Sequence, residues 1–239
     1  MPFVMKKHFT FSLLFAALLS FLGGYMELTS LKHFGVFCAM ETGNTIYSII
    51  RLIDGEYMAG LKNAISVVSF VVFCLLGGLL RSKWRFKKID FHLFALLMMA
   101  LGIAMALAFS FIENKEAEIY LVNSSLAFYG ATQVLAFVSF NDHPYVSTMM
   151  TVLLKNLSSG IAKAISTKEK ENWLVVLEYL SIFLSFVLGA AISALPIHFC
   201  SLSPWASLLV ALSFVIVVLC PLKIFGSKKA KTSSIPQEQ

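Results

Sequence analysis

A small set of polar positions could handle an ion or a small solute: Glu27, Thr42, Gly43, Asn44 and Thr45 in the first half of the chain, Gln133, Ser147, Thr148 and Thr151 in the second. Their setting raises the question. Residues 38–48 read CAMETGNTIYS, while Phe34, Val36, Phe37, Ile46, Tyr47, Ile49 and Ile50 keep both flanks apolar. A carboxylate at membrane depth costs on the order of a few kcal/mol. Glu27 therefore reads either as a proton or cation site facing a bundle interior, or as a carboxylate hydrated at an interface or paired with Lys32 or Lys62. The run Thr42 to Thr45 joins a flexible glycine to hydroxyl and amide groups. A helix N-terminus following Gly43 would aim N–H groups at an anion or carboxylate. The competing reading is a capped structural break whose polar groups serve only each other. Gln133 fits an interhelical hydrogen bond or a solute contact.

Other chemistries find less support. Asn141-Asp142-His143-Pro144 with Ser147 and Thr148 contains the residue types of a hydrolase triad. Adjacency in sequence is not triad geometry, however, and no GxSxG elbow occurs; Asp142 and Pro144 read as the turn that ends a span. Glu178 is expected to be solvated or paired, with Lys170 or Lys163 placed to neutralise it. Cys38, Cys74, Cys200 and Cys220 stand far apart with no CxxC pair, so they read as small apolar packing residues, not as metal ligands or a disulfide framework. Gly77-Gly78 and Gly189-Ala190-Ala191 read as surfaces where helices approach closely. No enzyme, metal or cofactor is expected.

Composition identifies the elements that must position these groups. Of 239 residues, 58% are hydrophobic and 13% charged, against about 25% charged in a soluble domain. The mean hydropathy is +0.81, and an integral membrane protein follows. Crossing the hydrocarbon takes about 20 apolar residues in a helix, and six segments qualify: 9–30, 58–80, 91–112, 118–140, 173–195 and 204–225. Two shorter stretches, 34–52 and 145–165, remain as broken or re-entrant segments. With six spans, only Lys32, Arg51, Lys62 and Lys115 of the 19 Lys and Arg lie on the side opposite the termini. That asymmetry predicts both termini in the cytoplasm and a multi-pass protein of the plasma membrane. It also explains the net charge of +6 without nucleic acid. The first span, preceded by Lys6 and Lys7, lacks a small-x-small cleavage site and is expected to be retained. One membrane domain, 1–226, is followed by a basic, disordered tail, 227–239.

The two leftover stretches occupy matching places in halves 9–112 and 118–225. Gly24-Tyr25-Met26-Glu27 parallels Gly130-Ala131-Thr132-Gln133, and Phe73 followed by Gly77 echoes Phe186 followed by Gly189. Three spans being an odd number, the second half enters the membrane upside down, as in many secondary transporters. The expected fold is all-α and polytopic, six transmembrane helices as two inverted three-helix repeats.

These residues resemble the YoaK-type family of small bacterial membrane proteins, whose biochemical activity is uncharacterised. The resemblance rests on Gly24-Tyr25 with Glu27, Gly35-Val36-Phe37, Thr42-Gly43-Asn44-Thr45, Gly130, Gln133, Val146-Ser147-Thr148 and Met150-Thr151, and spans roughly 10–225. The family pattern has Asp where this chain has Glu27, and a threonine-glycine pair where this chain has Thr151-Val152. The resemblance implies fold and location more than mechanism. The functional expectation is a transporter of a small solute or ion with a polar midplane site, in contact with the lipid bilayer. The alternative is a non-transporting scaffold or sensor.

Overall fold

The computed structural model describes residues 12–83, 90–141 and 143–225. Lys6, Lys7, Arg85, Lys87, Lys88, Asp142 and the tail 227–239 lie outside them. Helix α1 (Leu13–Phe34) starts where Ser12 Oγ accepts the Phe15 N–H, and stops at Gly35, whose left-handed backbone (φ 69°) closes the last turn onto Leu31. After residues 35–40 come α2 (Glu41–Ile53) and, beyond a tight turn at Gly55 (φ 80°), α3 (Tyr57–Lys83). Asp90 caps α4 (Phe91–Phe109) and Asn114 caps α5 (Lys115–Ala136). A short antiparallel ladder, β1 (Ser139–Phe140) with β2 (His143–Pro144), interrupts the otherwise helical chain. Then follow α6 (Met150–Thr167), α7 (Lys170–Phe199) and α8 (Pro204–Phe214), which continues through a π turn, Val215–Leu219.

Among the described residues, five helices are long and apolar enough to cross a membrane: α1, α3, α4, α7 and the continuous helix Pro204–Phe225. This is the architecture of a multi-pass integral membrane protein. The sixth expected span corresponds to α5, which is 22 residues long but is not among the five. Its polar residues account for the difference, because Asn123, Ser125 and Gln133 are buried inside the protein and not presented to lipid.

Helix α1 is the most enclosed of the five, 67% buried over its most apolar window against 11% for α3 and 17% for α7. It packs on α7 and α8, while α5 packs on α3 and α4; α2 lies along α3 and α6 along α7, and α1 touches α5. One apolar cluster joins Leu19, Leu22 and Met26 to Leu96, Met99, Leu126 and Leu208. A second gathers Phe140, Tyr145, Leu153, Tyr179 and Ile182. Among the cysteines, Cys38 alone is buried, Cys200 is exposed, and all are free thiols.

The α1–α7 contact depends on backbone approaching backbone. A β-carbon on Gly189 would overlap the Phe21 carbonyl, and one on Gly24 would overlap the Phe186 carbonyl. The Gly77-Gly78 pair divides: a β-carbon at Gly77 would meet Leu135 Cδ1 at 2.7 Å, but Gly78 has nothing within 4 Å and is not a packing glycine. Gly189→Ala is therefore expected to destabilise by about 1–3 kcal/mol, since neither backbone can give way. Gly78→Ala should be neutral or stabilising. Thermal unfolding of both variants in detergent checks the contrast.

Candidate functional site

Glu27 lies in the core, 3% exposed, and its carboxylate holds the loop that follows its own helix. Oε2 accepts the Cys38 N–H at 3.0 Å and Oε1 accepts the Ala39 N–H at 2.9 Å. Irregular backbone at membrane depth needs such partners. Glu27 is thus paired with neither Lys32 nor Lys62. The loop it holds lies on the other half of the chain, where a β-carbon on Gly130 of α5 would overlap the Cys38 carbonyl.

Gln133 does the corresponding work in the second half. Its Nε2 donates to Ser147 Oγ at 2.8 Å and to Leu19 O at 3.0 Å, tying α5 to its own following loop and to α1. That loop, residues 145–149, lies in turn on α1. Ser20 Oγ donates to Ser147 O (3.0 Å), Tyr145 OH donates to Ala16 O (2.6 Å), and a β-carbon on Gly23 would stand 3.1 Å from Thr148 Cγ2. Both loops enter their short helices alike: Met40 (φ −91°, ψ 68°) precedes α2 and Met149 (φ −95°, ψ 82°) precedes α6, neither with a side-chain cap.

The break in the first half is at residues 35–40 and not at Gly43. Gly43 sits inside the first turn of α2, where a β-carbon would meet the Phe37 ring at 2.7 Å; its service is to leave room for that ring. Asn44 is fully buried, with Oδ1 accepting the Phe37 N–H (2.8 Å) and Nδ2 donating to Phe37 O (2.8 Å), Glu41 Oε2 (2.9 Å) and Ser66 Oγ (3.2 Å). Its hydrogen-bonding capacity is filled from within the protein, which makes it a clamp on the loop. Thr42, Thr45 and Thr151 are exposed, and Thr45 Oγ1 donates back to Glu41 O. The structure therefore brings Glu27, Gln133, Ser147 and Thr148 into the core and leaves those three threonines outside it.

Several polar groups absent from the expected set belong to this core. Buried side-chain atoms with no hydrogen-bond partner include Tyr129 OH, Gln133 Oε1, Thr148 Oγ1 and the Asn123 amide. Such atoms are rare in native proteins and mark places where a polar species can bind. Gln133 Oε1 can only accept, and the Tyr129 and Thr148 hydroxyls can do either, so these three suit a neutral or cationic hydrogen-bond donor; Asn123, ten residues before Gln133 and so about 15 Å away along α5, stands apart from them. Tyr129 precedes Gln133 by one helical turn, a spacing that puts both on one face. Glu178 is held by Asn141, whose Nδ2 donates to Oε1 at 3.0 Å, with His143 Nε2 3.8 Å from Oε2; neither Lys163 nor Lys170 is its partner. Pockets open elsewhere among the described residues. One of about 230 Å³ lies between α3, α4 and α5, and one of about 280 Å³ beside Met58, Lys62 and Glu116.

No curated protein and no solved structure matches the chain. The family described as "Protein of unknown function (DUF1275)" matches residues 15–220, a range that contains both loops and every buried polar group named above, and the chain belongs to that family.

Proposed function

We propose that the protein transports a small solute or ion across the bacterial cytoplasmic membrane, as six spans in two inverted three-helix halves with both termini in the cytoplasm. The observation that carries the reading is the crossing of the loops, with residues 35–40 lying on Gly130 of α5 and residues 145–149 on Gly23 of α1. Exchanging α1, α2, α3 and α4 for α5, α6, α7 and α8 reproduces the set of helix contacts: α1 with α7 becomes α5 with α3, α2 with α3 becomes α6 with α7, and α4 with α5 becomes α8 with α1. Such a relation favours a site near the midplane between the halves. Glu27 and Gln133 then hold the two broken elements, while Thr148, Tyr129 and the free oxygen of Gln133 meet the solute. Rocking one half against the other would alternate access, with no catalysis and no cofactor.

Thr148→Val tests this directly. Its hydroxyl has no partner in the protein, so the variant should fold and unfold as the parent does. In proteoliposomes offered a panel of neutral and cationic polar solutes and a proton gradient, it should move the transported species at least ~10-fold more slowly, the loss of about 1.4 kcal/mol expected for a contact made in the site. Wild-type rates in Thr148→Val, or no flux of any panel member in the parent, would sink the transport reading. The second reading, a scaffold or sensor, is favoured by Asn44, whose polar atoms all serve the loop. It predicts that cysteines placed at 147 and 148 stay sealed from water-soluble maleimides, where a transporter exposes them.

A further inference from the structure

We propose that the end of the bundle around Gly35 is an oxyanion site, in which Arg51 of α2 and Lys62 of α3 together take a carboxylate or phosphate group. The guanidinium of Arg51 is fixed in place: Nη1 donates to Asn63 Oδ1 at 2.7 Å and to Gly35 O at 3.4 Å, and its carbon lies 5.5 Å from the centre of the Tyr47 ring. The Lys62 ammonium is held differently, by enclosure alone. Its Nζ lies 3.0 Å from the point a β-carbon on Gly35 would occupy, and Arg51 Nη2 lies 3.8 Å from that same point. Two half-buried cations thus converge on one glycine, where a β-carbon would crowd the ammonium.

Like charges brought together repel unless a counter-charge joins them. Among the described residues neither cation forms an ion pair. Glu116 of α5 lines the same pocket of about 280 Å³ as Lys62, with Tyr120 and Met58, and is not within ion-pair distance of it. Asp54 and Glu56, in the turn between α2 and α3, are exposed and pair with neither. A planar guanidinium beside an ammonium is the donor set that suits a carboxylate or phosphate, the first by two parallel hydrogen bonds and the second as a point charge. The same chemistry is carried by a free anionic solute and by the headgroup of an anionic lipid.

The site is read by binding and without flux, so it stands or falls separately from transport. Thermal unfolding in neutral detergent is followed in potassium phosphate, potassium acetate or potassium chloride at equal ionic strength, and unfolding is followed in phosphatidylcholine vesicles with and without phosphatidylglycerol. Lys62→Met serves as the variant because Lys62 has no hydrogen bond to lose, and Lys62→Arg keeps the charge. A free anion as ligand raises the parent's Tm by several degrees over chloride; a lipid headgroup does so only in the phosphatidylglycerol vesicles. In either case Lys62→Met loses the shift and Lys62→Arg retains it. No shift over chloride or phosphatidylcholine in the parent, or an equal shift in Lys62→Met, overturns the proposal.

Discussion

Asp90→Ala is expected to destabilise the fold by about 2.5–4 kcal/mol, from about 1.5–3 for losing a charged hydrogen bond whose carboxylate is 32% exposed and about 1 for losing a helix cap. One carboxylate does both jobs. Its Oδ2 lies 2.9 Å from Lys223 Nζ, an ammonium 1% exposed on the last helix, while Oδ1 accepts the His92 N–H at 2.8 Å and the Leu93 N–H at 3.4 Å at the start of α4. The pair therefore joins the beginning of one membrane helix to the end of another. Asp90→Asn keeps an acceptor for the cap and should recover only the smaller part. The double variant Asp90→Ala with Lys223→Met removes both charges, and its stability beside that of Asp90→Ala alone reads how much of the loss belongs to the charge pair. Urea or thermal unfolding in detergent reads all three.

The same residue sets a pH dependence. Burial alone would raise the Asp90 carboxyl, but hydrogen bonds from His92 and Lys223 and the lysine's charge hold it well below the usual carboxylate range. The folded state thus binds its proton less readily than the unfolded chain. Its contribution is complete above the unfolded value of about 4 and is lost as pH falls through that value toward the folded one. The parent should lose stability over this window more steeply than Asp90→Asn, which has no carboxyl to titrate there.

Five of the six expected spans were legible because lipid demands long apolar runs. The sites were legible only in part, for a reason visible in α2. That helix is inside out: Asn44 and Ser48 are buried while Ile46, Ile49, Ile50 and Ile53 are exposed. In a protein surrounded by lipid, a polar stripe at helical spacing marks the inner face. Applied to CAMETGNTIYS, that spacing separates Asn44 and Ser48 from Thr42 and Thr45, which a reading by polarity alone had grouped. Gly43 drew attention as the glycine among polar residues, yet the turn belongs to Gly35, where φ is positive, and to the apolar residues after it. Nothing in Val36 to Ala39 announces a break, because the groups that satisfy its backbone come from Glu27 and Asn44. The matching of Glu27 with Gln133 was legible from equal distances after Gly24 and Gly130. Tyr129 and Asn123 were not, since polar residues along a mixed helix such as Asn123-Ser124-Ser125 carry no sign of which neighbour each one faces.

Glu27→Ala should be the most damaging single change in the first loop, at about 2–6 kcal/mol. The carboxylate is the partner of two buried backbone N–H groups, those of Cys38 and Ala39, and each donor left unpaired away from water costs about 1–3 kcal/mol. Glu27→Gln should fall between the parent and Glu27→Ala. Its Oε1 can still accept one N–H, but its Nε2 is a donor facing a donor. Any loss of stability could come from elsewhere in the bundle, so a local readout is needed, and Cys38 supplies one. Its thiol is fully buried beside the held peptide, and in a background with Cys74, Cys200 and Cys220 replaced by serine it is the single target for a membrane-permeant maleimide. Labelling under folding conditions should be slow in the parent and faster in the order Glu27→Gln then Glu27→Ala. If the carboxylate holds the break, release of the loop and loss of stability rise together across the series. A destabilised Glu27→Ala whose Cys38 stays as protected as the parent's would mean that residues 35–40 are held by Asn44 and by their contact with Gly130, and that Glu27 serves the core in some other way.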